Sequence, residues 1–90
     1  MGYTTEEIRI LDITKLDEPP AGRETDRAWW RADLESEESR HMILLWADGT
    51  AAHRVDEGWL RGEIERLADR YRTLSALGVM SPFHLVPPIR

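Results

Sequence analysis

Cysteine is absent from this chain, so no disulfide can staple it and no thiol can serve as nucleophile or ligand. Its three histidines, His41, His53 and His84, stand in separate segments with no H-x-x-x-H or H-E-x-x-H spacing, which excludes the usual metal patterns. No G-x-G-x-x-G or P-loop sequence offers a phosphate cradle. No cofactor is therefore expected. The chain also lacks a basic excess: its formal charge is −5 and its charges are interspersed, which argues against a nucleic-acid duplex as partner, since no stripe of cations could displace phosphate counterions. No apolar run approaches bilayer-spanning length, and no basic stretch followed by an apolar one opens the chain. Gly2 meets only part of the myristoylation pattern, because Glu6 stands where Ser or Thr is wanted. A cytoplasmic protein with no membrane contact is the expectation.

What is present is enough for a folded core. Ninety residues that are 41% hydrophobic, with four tryptophans, fit a single domain spanning residues 1–90, with residues 79–90 as an extended C-terminal tail. So small a core without disulfide or metal draws its stability from packing or from oligomerisation, which points to a homodimer.

Hydrophobic periodicity predicts an α+β fold: a small antiparallel sheet of three to four strands packed on one long C-terminal helix as a two-layer sandwich. Residues 4–16 are ambiguous. Thr4-x-x-Glu7 resembles a helix capping box, whereas the β-branched Ile8, Ile10, Ile13 and Thr14 favour a strand over residues 7–14. Asp17-Glu18-Pro19-Pro20-Ala21-Gly22 is a loop, because neither proline can donate to a strand ladder. Residues 28–35 alternate Ala28, Trp30, Ala32 and Leu34 against Trp29, Arg31, Asp33 and Glu35, the period of a half-buried strand. Met42-Ile43-Leu44-Leu45-Trp46-Ala47 is apolar on both sides and reads as a central strand. Asp48-Gly49 signals a type I′ hairpin returning through a short strand at residues 50–55. After Asp56 as N-cap, Leu60, Ile64, Leu67, Tyr71 and Leu74 form one helical stripe, which Gly78 and Pro82 end. Leu67 sits mid-stripe, so its truncation to Ala is expected to cost about 2–5 kcal/mol.

A symmetric loop at residues 36–39 sets Glu35 opposite Arg40, Trp30 opposite Leu45 and Trp29 opposite Trp46, which sorts the side chains into two faces. The alanine-rich face carrying Trp30, Ala32, Leu34, Ile43, Leu45 and Ala47 is the one a helix can approach. The other carries Trp29, Arg31, Asp33, Met42, Leu44 and Trp46, with His53 brought beside Arg31 across Leu44 by the expected hairpin. These seven residues are the candidate interaction face. One helix cannot cover both sides, so the tail, a second subunit or a ligand must meet the aromatic one.

No residues stand out as catalytic. Arg31, Asp33 and His53 could in principle orient a base, but the same grouping serves a surface ion pair. Glu35, Glu37 and Glu38 read as solvated charge beside Arg40. The expectation is a non-enzymatic protein-binding or regulatory domain that acts through an aromatic, arginine-bearing face on a protein partner, as a homodimer. A small dimeric enzyme or small-molecule binder, with its pocket between sheet and partner subunit, is the alternative, and a structural protomer of a larger assembly is a third.

Overall fold

The computed structural model describes residues 6–23, 25–37 and 39–89. The capping-box reading that needs Thr4, the Gly2 motif and the position of Glu38 lie outside the described residues. The chain is α+β; its described residues form four strands and two α-helices in the order β1 (Arg9–Lys15), β2 (Arg27–Glu35), β3 (Arg40–Asp48), α1 (Glu57–Tyr71), α2 (Leu74–Met80) and β4 (Phe83–His84). The sheet runs β1-β2-β3-β4. Its first two pairings are antiparallel and the last is parallel, so the sheet is mixed where a wholly antiparallel one was expected.

The β2–β3 ladder forms in the register the sequence predicts, with Trp29 opposite Trp46, Trp30 opposite Leu45 and Glu35 opposite Arg40. The tight connection is closed by Ser36 N–H donating to Ser39 O at 2.9 Å. Register sorts the side chains as alternation demands. Trp30, Ala32, Leu34, Ile43, Leu45 and Ala47 share one buried cluster with Leu60 and Ile64 of α1, Leu74 and Leu77 of α2, and Leu85. Both helices therefore serve the alanine-rich face.

The expected strand at residues 50–55 does not form. Instead of a type I′ turn, Ala51 N–H donates to Asp48 O at 2.8 Å and Arg54 N–H to Ala51 O at 3.0 Å, which winds the chain into a 3-10 turn at Ala52–Arg54. Among the described residues only Gly22 is a glycine with positive φ, so Gly49 lacks the backbone a I′ turn requires. Gly49 matters for another reason: a Cβ there would lie 2.7 Å from the Asp26 carbonyl oxygen, to which the Gly49 N–H donates at 3.1 Å. The place beside β3 that the hairpin was to fill is taken by the C-terminal segment. The Ser81 hydroxyl accepts from Leu44 N–H at 2.9 Å, β4 pairs with Leu45 and Trp46, and Leu85 N–H donates to Trp46 O at 2.7 Å.

The single long helix is also corrected, because α1 ends at Tyr71 and Arg72 adopts the left-handed conformation with φ 70°. Asp56 caps α1 as expected, its carboxylate accepting from Trp59 N–H at 2.8 Å. A second cap starts α2: Thr73 Oγ1 accepts from Ala76 N–H at 3.1 Å. Glu6 fastens the junction, its N–H donating to Arg72 O at 2.9 Å and its carboxylate accepting from Leu74 N–H at 2.8 Å. Gly78 lies inside α2 rather than ending a helix, and a side chain there would collide with the His41 imidazole. The apolar tail begins only at Ser81, since Val79 and Met80 are helical.

The break shifts the burial maximum of the stripe. Leu60 and Ile64 are fully buried, whereas Leu67 and Tyr71 are only partly buried against the cluster. Ile64→Ala is therefore the variant expected to cost about 2–5 kcal/mol, with Leu67→Ala costing less and the exposed Arg66→Ala less than about 0.5 kcal/mol. Denaturant midpoints in that order check the packing, and a Leu67 effect equal to that of Ile64 would contradict it. Two glycines should respond with opposite signs. Nothing lies within 4 Å of a Cβ at Gly62, so Gly62→Ala should stabilise α1 by about 0.5–1 kcal/mol. Gly49→Ala should destabilise by about 1–3 kcal/mol through its clash with Asp26.

Candidate functional site

The face opposite the helices is built from alternate residues of the two long strands, Trp29, Arg31, Asp33 and Glu35 on β2 and Arg40, Met42, Leu44 and Trp46 on β3. β1 adds Asp12 opposite Asp33 and Thr14 opposite Arg31, after a bulge at Leu11. Six of the seven candidate interaction residues, Trp29, Arg31, Asp33, Met42, Leu44 and Trp46, thus share one side. His53 does not join them. It sits in the 3-10 turn, because the strand that would have carried it beside Arg31 is not made.

The face divides into a closed aromatic end and an open polar one. Trp29 is only 1% exposed although it belongs to no helix-facing cluster, so the chain itself covers it. The Arg23 guanidinium, from the loop after β1, lies 5.8 Å from its ring centre, and Leu16 N–H carries the β1–β2 pairing on to its carbonyl at 2.9 Å. Trp46 meets Trp29 at 6.4 Å in a tilted arrangement. The Arg27 guanidinium packs over the Trp46 ring at 3.7 Å, and His84 stacks on it at 3.8 Å with planes 9° apart. Such contacts between rings and cations are favourable when desolvated. The aromatic pair expected to meet a partner is therefore largely occupied by the chain's own arginines and histidine.

At the other end the surface lies open. A shallow depression of about 540 Å³ is lined by Leu11, Asp12, Arg31, Asp33, Arg40 and Met42, with Leu34 and His41 completing it. Leu11 and Met42 are 45% and 43% exposed. Arg31 donates through Nε and Nη2 to Asp33 Oδ1 at 3.1 and 3.0 Å, and Thr14 Oγ1 donates to Asp12 Oδ2 at 3.0 Å. Leu11, Asp12 and Arg40 were not among the sequence candidates. Arg40 has the strand parity of Met42 and was within reach of the same argument, whereas Leu11 and Asp12 depend on a bulge that no residue pattern announces.

Beside this depression a carboxylate ties three strands together. Glu35 accepts from Arg9 Nη2 at 2.9 Å and Nε at 3.3 Å and from Arg40 Nε at 3.2 Å. The hydrogen bonds from Arg9, supplemented by the one from Arg40, hold the Glu35 carboxyl below the usual range, against an opposing desolvation effect smaller than that of Arg9. Glu35 also raises the already high pKa of Arg9. Among the described residues no group of three or more His, Asp or Glu side chains could hold a metal ion, and no helix is long and apolar enough to cross a membrane. The chain matches no protein-family model, and neither the curated proteins nor the solved structures yield a match.

A carboxylate with a depressed folded-state pKa contributes stability that is present above its unfolded value and is lost as pH falls through its folded value. Glu35→Gln should therefore lower the urea midpoint at neutral pH, and the gap to the parent protein should shrink as pH drops below about 4.3, the unperturbed glutamate value. Urea titrations of both proteins across that range check this, and a gap that stays constant into strong acid would contradict it.

Proposed function

We propose that the chain is a non-enzymatic protein-binding domain that works through the open end of the helix-free sheet face. The observation that carries this reading is the exposure of Leu11 and Met42 around the Arg31–Asp33 ion pair, on a surface facing away from both helices. Exposed apolar side chains beside an arginine are the composition in which binding hot spots are enriched, because the apolar groups gain by desolvation and the guanidinium can exchange one carboxylate for another. The fitting partner is a protein surface with an apolar side chain next to an acidic one, so that the apolar group covers Met42 while the carboxylate competes with Asp33 for Arg31. The aromatic end supports this surface from within the chain rather than contacting the partner. A cytoplasmic setting suits a cysteine-free chain.

A small-molecule ligand is the second reading, favoured by one observation. The depression's volume of about 540 Å³ lies within the roughly 300–1,000 Å³ of typical ligand pockets. Its shallow, open form favours a protein partner, since ligand pockets bury most of the ligand's surface.

Met42→Glu combined with Arg31→Ala separates the readings. Both positions are exposed, so the variant should keep the parent's thermal midpoint, whereas a Trp29→Ala change would test folding instead. Affinity capture from cells is expected to recover a protein with the parent that the variant binds at least about tenfold more weakly, the effect of losing roughly 1.4 kcal/mol at a hot spot. A variant that keeps every interactor would contradict the proposal. A metabolite that raised the parent's midpoint, and left the variant's unchanged, would establish the second reading instead.

A further inference from the structure

The open face is laid out in three cross-strand rows. Arg9, Glu35 and Arg40 form the first, Asp12, Asp33 and Met42 the second, and Thr14, Arg31 and Leu44 the third. In the first row the carboxylate stands between two cations and accepts from both. The second row has the opposite arrangement: Asp33 has another carboxylate, Asp12, on one side and a methionine on the other. Directly opposite side chains begin about 4.5–5.5 Å apart, and like charges so placed repel. Both carboxylates line the depression beside Met42.

The chain compensates this pair only in part. Arg31 reaches along β2 from the third row, but its Nε and Nη2 both donate to one oxygen, Asp33 Oδ1. Among the described residues the side-chain partner of Asp12 is the uncharged Thr14 hydroxyl. Arg9 and Arg40 are engaged by Glu35. Two facing carboxylates thus share a single guanidinium.

We infer that a protein docking on this depression sets an arginine side chain between Asp12 and Asp33. This partner chemistry rests on the protein-binding reading of the same face. In that reading a carboxylate of the partner draws Arg31 off Asp33, which leaves Asp12 and Asp33 facing each other with no cation. Stranding charge in this way opposes binding unless the partner supplies a positive group in the same step. The complementary surface therefore carries a base beside its acid, and the two proteins exchange ion pairs. A guanidinium suits the position better than an ammonium, because its planar fork donates to two carboxylates at once. Its aliphatic stem can lie along Leu11 and Met42, which are exposed. A divalent ion fits poorly: among the described residues no third acidic or histidine side chain joins the pair, and Arg31 stands beside it.

Two blocked peptides test this, acetyl-Leu-Ser-Arg-Ser-Glu-amide and the same peptide with Gln in place of Arg. In an extended peptide alternate residues share a side, so Leu, Arg and Glu all face the sheet. Titration followed at the Met42 methyl by NMR in low salt should give about tenfold tighter binding of the Arg peptide, the effect of a charge-assisted hydrogen bond. Asp12→Asn should remove most of that preference. It should also keep or raise the thermal midpoint, since it deletes a repulsive charge while its amide oxygen can still accept from Thr14. A purely structural Asp12 would lower the midpoint instead. Equal affinity of the two peptides, no Met42 shift with either, a preference that survives in Asp12→Asn, or a lowered midpoint of that variant would each overturn the inference. Equal affinities with a moving Met42 methyl leave the protein-binding reading standing, and that reading fails only by the capture experiment on Met42 and Arg31.

Discussion

The pairing of β2 with β3, unbroken from Arg27–Asp48 to Glu35–Arg40, is the constraint on which the rest of the molecule depends. Side chains alternate with a period of two, so this one register assigns Ile43 and Leu45 to the helices and Met42 and Trp46 to the opposite face. A slip by a single residue would exchange the two sets and expose the core. The alanines at 32 and 47 then acquire a purpose, since they are fully buried and allow helix side chains to approach the sheet closely.

Around this ladder β1 adds a second antiparallel pairing, whereas the tail and the start of the chain are held by individual contacts. The tail is placed by the Ser81 hydroxyl on Leu44, by two residues of parallel strand and by His84 stacked on Trp46. The helix pair is joined to the start of the chain through Glu6. At the far end of the sheet, Glu35 links β1, β2 and β3 through two arginines. The aromatic end of the open face is consumed in such internal fastening. On this face Leu11, Arg31 and Met42 are exposed.

Much of this was legible in the residues. The alternation of residues 28–35 and the short polar connection after them determine register without any long-range information, because a tight loop leaves few ways to pair its flanks. The α1 stripe and the Asp56 cap are equally local signals. What escaped was decided by competition between distant segments. Asp48-Gly49 has the composition of a I′ turn, yet the close approach of Asp26 to Gly49 and the claim of the tail on β3 prevail over that local preference. The helix break at Arg72 could not be read, because a positive φ at an arginine carries no compositional mark. His53 was lost as a site residue with the strand that should have carried it. Trp29 kept its predicted face but not its exposure, since the arginines that cover the aromatic end come from loop and strand positions whose side-chain directions only the tertiary structure determines.

The central claim is that one face of the sheet is sealed by helices and the other is open at Met42. Methyl NMR in the presence of a soluble paramagnetic probe measures this at adjacent residues. The account predicts strong relaxation enhancement at the Met42 methyl and almost none at Ile43 and Leu45, its neighbours on the sealed side. Comparable enhancement at Met42 and Ile43, or protection of both, would contradict it.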